Sequence, residues 1–177
     1  EFGSGWSSLV IAHALQNLKK LYNKDVKKIR RSNPFQLFIL ENEKRYLNLT
    51  KKKLRRVKNI KINYNYSEVK MTSLNGIYST QYSKIPVCNP DFIYLDGPDQ
   101  FKVKKASNNF TTSHPDLMPM VSDIVRIEFF LIPGTIILVD GRGANALFMR
   151  KNFKRNWKYK YLKSSDQHIF VLNDAPF

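Results

Sequence analysis

Apolar residues recur at helical spacing in the first part of the chain. Between Ser7 and Tyr22 they fall at intervals of three and four residues, which places them on one face of a helix. Ser7 and Ser8 are both suitable for capping the start of that helix. The polar segment 23–34 then ends in a proline, so we predict a helix followed by a loop.

Three short apolar runs have the length of buried strands. Each is too short for a typical helix, and each contains aromatic or β-branched residues. Each run also stops at an acidic side chain. The three are FQLFILE, DFIYLD and GTIILVD, which end in Glu41, Asp96 and Asp140.

The rest of the pattern alternates between helices and strands. Asn75 and Gly76 separate two β-prone runs, which is a strong hairpin signal. Strands alternating with helices favour parallel βαβ units. Further helices are predicted over 43–57, 117–131 (capped by Ser113, with Pro115 in its first turn) and 144–157, and further strands over 59–69, 158–164 and 168–174.

Composition indicates a globular domain. The 177 residues are 42% hydrophobic and 13% aromatic, so we predict a single domain over 1–177 with its own core. Cys88 is the one cysteine of this sequence, which rules out an internal disulfide and fits a reducing, cytoplasmic location. No run approaches the roughly 20 apolar residues that a transmembrane helix needs, so no such segment is predicted.

The charge is strongly positive and uneven. There are 30 basic and 14 acidic residues, a net charge of +16, and residues 1–66 hold 16 of the basic and 4 of the acidic ones. A solvated lysine-rich face explains this excess, and so does an anionic partner such as nucleic acid, a phosphorylated sugar or a membrane surface. Aromatic residues do not interrupt the basic runs 51–53 and 55–56, so no stacking platform for single strands is predicted.

The opening stretch EFGSGWSS has two interpretations. It is either a cloning remnant, to be excluded from fold reasoning, or a cofactor-binding turn. A helix, a strand and an acid follow it, as a real turn requires, and ligands of open α/β sheets lie beyond the carboxyl ends of the strands. Gly3 and Gly5 also begin a dinucleotide fingerprint with Ser8 in its third position, so nicotinamide or flavin binding is an alternative.

The pieces EFGSGWSS, FQLFILE, DFIYLDGPD and GTIILVDGR resemble the class I S-adenosylmethionine-dependent methyltransferases, specifically bacterial members with an E-x-G-S-G-x-S turn. The resemblance covers essentially the whole chain. It implies a Rossmann-like three-layer α/β/α sandwich whose mostly parallel sheet has an antiparallel closing strand. This sequence departs from the family pattern in its first strand, which would precede Glu1 and is therefore expected to be truncated. It also implies an enzyme that transfers methyl groups from S-adenosylmethionine to a small-molecule or glycan-linked acceptor.

The same resemblance implies the cofactor residues. Glu1, Gly3, Gly5 and Glu41 would bind S-adenosylmethionine together with Asp96, and Glu41 would accept hydrogen bonds from the ribose hydroxyls. The interval from Gly5 to Glu41 is 36 residues, where about 20 is expected in the related dinucleotide fold. Asp25 lies at the shorter interval but follows no strand, so Glu41 is preferred.

Candidates for catalysis are Asp96, His114 and Asp140. His114 is a candidate general base in a long loop, where the alternative is a solvated side chain. Arg142 would bind an anionic substrate or neutralise Asp96. Asp96 and Asp140 could share a divalent metal, but hard cations take more oxygen ligands than two acids supply, so no metal ligand is predicted. His13 is interpreted as a packing or surface residue.

Two other functions compete with methyl transfer. The first is a non-catalytic basic α/β module that binds nucleic acid or another anionic polymer, which the charge excess motivates. The second, less favoured, is an NAD-binding oxidoreductase, which the glycine pattern motivates.

Overall fold

The computed structural model describes residues 1–29 and 32–175. Arg30 and Arg31, in the segment 23–34 predicted to be a loop, lie outside the described residues. Short 3-10 helices cover Gln100–Lys102 and Glu128–Phe130. The other elements are, in chain order, α1 (Trp6–Val26), β1 (Gln36–Glu41), α2 (Lys44–Leu54), β2 (Lys61–Tyr66), β3 (Val69–Leu74), β4 (Ile77–Tyr82), β5 (Phe92–Leu95), β6 (Val103–Lys104), α3 (Asp123–Arg126), β7 (Ile136–Asp140), α4 (Gly143–Asn152), β8 (Trp157–Leu162) and β9 (Gln167–Leu172).

A single residue near the amino terminus links two pairs of parallel strands. β1 pairs with β2, and β5 pairs with β7. Phe2 lies between the pairs, because it forms parallel bridges with Leu40 of β1 and Leu95 of β5. β9 then pairs antiparallel with both β7 and β8. Since β1, β5 and β7 run in the same direction, their carboxyl ends lie at one edge.

The remaining strands form a second sheet around a hairpin. β3 and β4 pair antiparallel, and β6 adds to β3 in parallel. Asn75 and Gly76 have φ values of +51° and +79°, as a two-residue hairpin turn of the favoured twist requires. The hairpin predicted at these two residues is confirmed.

The predicted Rossmann-like sandwich with a mostly parallel sheet is wrong. Within the described residues, three strand pairings are antiparallel, and both sheets contain at least one of them. Two connections that such a sandwich would fill with long helices contain instead the β3–β4 hairpin and a largely irregular segment that leads to β7. The hairpin forms because β-prone residues flank an Asn-Gly turn, so that pairing satisfies the backbone within the segment.

The helix predicted over 117–131 is also wrong, because only the four residues of α3 are α-helical there. The chain before α3 pairs with β4 instead. The Thr80 N–H donates to the Met120 carbonyl oxygen at 2.8 Å, and the Ser122 N–H donates to the Thr80 carbonyl oxygen at 2.9 Å. Pro119 has no N–H to contribute to a helix, whereas the edge of β4 offers partners to an extended chain.

The buried side chains form two clusters. The smaller one packs α1 and α2 against β1, and its buried members are Ala12, Leu37, Ile39, Leu47 and Leu54. The larger one joins both sheets with α3 and α4, and it includes Phe2. Phe2, which precedes Gly3, therefore anchors the amino-terminal stretch in the core.

Candidate functional site

The glycine turn (residues 3–5) lies between the ends of β1 and β5. The carbonyl oxygen of Phe2 accepts the Asp96 N–H at 2.9 Å. On the other side, the first glycine of the turn donates its N–H to the Leu40 carbonyl oxygen at 2.9 Å. The turn is therefore placed between Glu41, the last residue of β1, and Asp96, which follows β5.

Glu41 is a buried carboxylate in direct contact with this turn. Only 3% of the residue is exposed. Its Oε2 accepts the Ser4 hydroxyl at 2.8 Å, and its Oε1 accepts the Glu43 N–H at 2.8 Å. Burial raises the pKa of Glu41, and these two hydrogen bonds oppose that rise. The end of β1 thus presents an oriented hydrogen-bond acceptor beside the glycines.

The Glu1 side chain makes its hydrogen bonds with the start of α1. Its two carboxylate oxygens accept the hydroxyls of Ser7 at 2.7 Å and Ser8 at 2.6 Å. The Gly5 N–H in turn donates to Ser8 Oγ at 3.1 Å. Burial raises the pKa of the Glu1 carboxyl, and the Ser8 hydroxyl opposes the rise. The carboxylate therefore ties the turn to the first residues of α1.

Asp96 and Arg142 meet at the same edge. One guanidinium nitrogen, Nη2, donates to the Asp96 carbonyl oxygen at 2.5 Å, and Nε lies 3.4 Å from Oδ1 of Asp96. The side chain of Asp96 is 55% exposed, whereas that of Arg142 is 13% exposed. Desolvation raises the pKa of Asp96, and the Arg142 charge opposes it. Of the two roles predicted for Arg142, the contact with Asp96 is present.

Asp140 is oriented by side chains of the neighbouring strands. Its Oδ2 accepts the hydroxyl of Tyr94, and its Oδ1 lies 3.4 Å from Nε2 of Gln167. Burial and the hydrogen bond to Asp140 raise the pKa of Tyr94. The Asp140 charge also contributes to the raised pKa of Asp96, so these two acids share one electrostatic environment.

Three other candidates have contacts within their own segments. His114 is exposed, and its Nδ1 accepts the Asp116 N–H at 3.1 Å. His13 is exposed on α1, in agreement with a surface role. Asp25 belongs to the last turn of α1 and pairs with Lys28 at 3.1 Å, so it does not end a strand.

The structure adds a buried pair that sequence reasoning missed. Tyr82 is 1% exposed, and its hydroxyl has no hydrogen-bond partner among the described residues. Burial, followed by the Glu41 charge, raises its pKa well above the usual value. Its N–H donates to Oδ2 of Asp123 at 3.1 Å, and burial raises the pKa of Asp123 to about 7. The sequence signal that could have indicated this pair is the tyrosine at the end of β4.

A second feature is a basic surface on α2. Residues 44–58 contain eight lysines and arginines and no acid. Although no aromatic residue interrupts the basic runs 51–53 and 55–56, α1 and β2 bring aromatic rings beneath three lysines of α2. The pairs are Lys53 over Trp6, Lys51 over Tyr64 and Lys44 over Tyr66, with 4.0, 5.5 and 5.1 Å from the ammonium nitrogen to the ring centre.

A cavity of about 170 Å³ lies between β1 and β5, toward the amino ends of these strands. Residues 36–38 and 92–94 line it, together with residues 85, 86 and 88–90. Of the predicted site residues, only Glu1 contributes to its wall. The cavity is therefore separate from the edge at which Glu41 and Asp96 flank the glycine turn.

In the part of the chain that the structure describes, no three His, Cys, Asp or Glu side chains are grouped so that they could hold a metal ion. None of the described helices is long and apolar enough to cross a membrane. Comparison with protein-family models, with curated proteins and with solved structures found no match. We therefore infer function from the chemistry of the edge formed by β1, β5 and β7.

Proposed function

We propose that this chain is a methyltransferase that uses S-adenosylmethionine and acts on a small-molecule or glycan-linked acceptor. The observation that carries the proposal is the position of the glycine turn (residues 3–5) between Glu41 and Asp96 at one edge of the strands. A glycine in such a turn lets a ligand approach the backbone closely, and an acid beside it can accept hydrogen bonds from sugar hydroxyls.

The residues present fit an adenosyl cofactor. The Ser4 hydroxyl already donates to Oε2 of Glu41, which is the type of bond that a ribose hydroxyl would make. A Cβ placed on Gly5 would have nothing within 4 Å, so the backbone there is open to a ligand. In this proposal Glu41 binds the ribose, and Glu1 holds the turn through Ser7 and Ser8.

The bound cofactor would supply an electrophilic methyl group, and the role of the chain would be chiefly to position the acceptor. Asp96 is half exposed beside Arg142 and is the acid best placed to contact an acceptor. Asp140 is oriented by its hydrogen bond from Tyr94 and would act on Asp96 through its charge. His114 lies in the loop that follows β6, where its carbonyl oxygen accepts the Gln100 side-chain amide at 3.0 Å, and in this proposal its imidazole is a candidate general base.

Calorimetric titration with S-adenosylmethionine, S-adenosylhomocysteine and NAD tests the proposal. We expect both adenosyl sulfur compounds to bind and NAD not to bind. Binding of NAD alone would support the oxidoreductase alternative and contradict methyl transfer. A cytoplasmic location is part of the proposal and is supported by the single cysteine.

Binding of an anionic polymer is the second candidate function, and the α2 lysines over aromatic rings favour it. Lysine contacts to phosphates make binding salt-dependent. For duplexes, the logarithm of the association constant falls with the logarithm of the salt concentration, with a slope near −0.9 for each phosphate that is neutralised. Titration of RNA and DNA across a salt series measures that slope. The variant Lys51→Gln/Lys53→Gln should weaken binding, whereas Lys158→Gln/Lys160→Gln on β8 is the control with the same charge change. Absence of binding at low salt excludes this function.

A further inference from the structure

Three side chains around the first turn of α4 bury polar atoms that have no hydrogen-bond partner among the described residues. These atoms are Nη1 of Arg142, both amide atoms of Asn145 and Nε2 of His168. Asn145 is fully buried, and His168 is 8% exposed. Buried polar atoms in folded proteins are nearly always hydrogen-bonded, so a cluster of them requires a partner from outside the chain, which is either a ligand group or buried water.

The imidazole of His168 is fixed and directed at the first residue of α4. His168 lies on β9 opposite Val139, and its ring stacks on Tyr161 with 4.6 Å between centres. Nδ1 lies 2.9 Å from the Tyr159 hydroxyl. Nε2 is 3.7 Å from the position that a Cβ of Gly143 would take. When the hydroxyl donates to Nδ1, a neutral imidazole carries its hydrogen on Nε2 and donates toward the helix.

The start of α4 is favourable for negative charge. The first N–H groups of a helix have no partner within it and carry a partial positive charge. The capping residue, Arg142, makes no side-chain capping bond, and the first turn of α4 contains no acid. Gly143 places no side chain between the helix and His168. An anion here would serve as the missing cap.

Arg142 adds a full positive charge at this turn, and its side chain is largely buried. Its Nη2 and Nε are engaged by Asp96, which leaves Nη1 for another partner. Because Asp96 is 55% exposed, the approach to Arg142 is from the side of Asp96, at the edge where β5 and β7 end.

We propose that the first turn of α4, with Arg142, Asn145 and His168, binds an anionic oxygen group, a carboxylate or a phosphate, of the methyl acceptor. The identification of the bound molecule as the acceptor rests on the proposed function, whereas anion binding itself does not. The donors come from a guanidinium, an amide, an imidazole and backbone N–H groups, a set that complements several oxygens of one anion. The acceptor class is therefore a small acid or a phosphorylated sugar.

Imidazole NMR resonances provide a direct test, because the chain has three histidines, of which His13 and His114 are exposed. The protein is titrated with inorganic phosphate and, separately, with acetate, at constant ionic strength. We expect the His168 resonances to shift saturably with at least one anion, while His13 and His114 show only small linear changes. The anion with the smaller dissociation constant shows whether the site prefers a phosphate or a carboxylate.

Matched variants separate a site from general charge. Loss of one charged hydrogen bond should make the anion dissociation constant of Arg142→Gln about tenfold larger. Arg45→Gln on α2 removes the same charge elsewhere and should bind as the wild type does. Equal weakening by the two variants, or non-saturating shifts of all three histidines, overturns the inference and leaves buried water as the partner of these atoms.

The cofactor titration distinguishes this inference from the proposed function. His168→Phe should lose the anion and still bind S-adenosylhomocysteine, since Glu41 and the glycine turn are intact. If the wild-type protein saturates with phosphate but binds no adenosyl compound, the anion site stands and the methyltransferase proposal fails. If the wild-type protein binds the adenosyl compound and no anion, the anion-site inference fails and the methyltransferase proposal stands.

Discussion

The backbone of Gly3 packs directly against the backbone of Gly97. A Cβ on Gly97 would lie 2.5 Å from the Gly3 nitrogen, and a Cβ on Gly3 would lie 2.8 Å from the Gly97 nitrogen. Gly3 also has a φ of +88°. No side chain fits between these segments, and their contact holds the glycine turn beside Asp96.

Replacing Gly97 with alanine should destabilise the protein. The new methyl group would meet rigid backbone rather than a flexible side chain, so strands β1 and β5 would have to separate around Phe2. We expect the free energy of unfolding to fall by roughly 1–3 kcal/mol, measured by urea denaturation. Gly5→Ala is the matched control, because a Cβ there meets nothing within 4 Å. Equal stability of the two variants would show that the contact is not tight.

Glu41→Gln should weaken binding of S-adenosylhomocysteine about ten- to a hundredfold. Charged hydrogen bonds contribute roughly 1.5–3 kcal/mol each, and the change keeps the shape of the side chain. Stability without ligand should change little, because the glutamine oxygen can accept the Glu43 N–H and the Ser4 hydroxyl can accept from the new amide. Calorimetry measures the affinity, and thermal denaturation measures the stability.

Glu43→Gln is the control for this experiment. The Glu43 N–H donates to Glu41, but its side chain makes no capping bond to α2. It should therefore bind the cofactor as the wild type does. Equal affinities of the two variants would remove Glu41 from the ribose-binding role.

Asp123 should make stability fall as pH rises. Burial raises its pKa from 3.8 to about 7, so between these values the folded protein holds a proton that the unfolded chain has lost. Each pH unit in that window then reduces the free energy of unfolding by at most about 1.4 kcal/mol. Asp123→Asn keeps an oxygen for the Tyr82 N–H and should remove this contribution. The difference in melting temperature between variant and wild type, followed from pH 4 to 8, is the measurement.

Asp116→Asn is the matched control, since the Asp116 side chain is 88% exposed. Its melting temperature should follow that of the wild type across the whole range. A pH profile of Asp123→Asn that runs parallel to the wild type would show that Asp123 titrates normally.

Gly76→Val should destabilise the β3–β4 hairpin. The φ of +79° at Gly76 is costly for a residue with a Cβ, by roughly 1–2 kcal/mol, and a β-branched side chain fits it poorly. Gly76→Asn should cost less, because asparagine tolerates this conformation, as Asn75 does at +51°. Hydrogen exchange of the β3 and β4 amides measures the local effect. Equal protection in both variants would argue against strain at this turn.

Much of the candidate edge could be predicted from where strands end. β1 and β7 end at Glu41 and Asp140, and β5 ends one residue before Asp96, as their apolar runs indicated. A strand buried on both faces needs such a run, and the first polar residue after it marks the edge. The partners of these acids were not predicted, because Tyr94 and Asp140 are 46 residues apart in the chain.

The sequence by itself determined the local elements, such as the helix after Gly5, the three strands with terminal acids and the Asn75-Gly76 turn. Each depends on side-chain periodicity or turn chemistry within a few residues. Only the tertiary structure decided the mixed strand pairing, the pairing of residues 120–122 with β4, the rings under the α2 lysines and the surroundings of Tyr82 and His168. These depend on which distant segments meet, and their free energy comes from contacts between segments that no local pattern encodes.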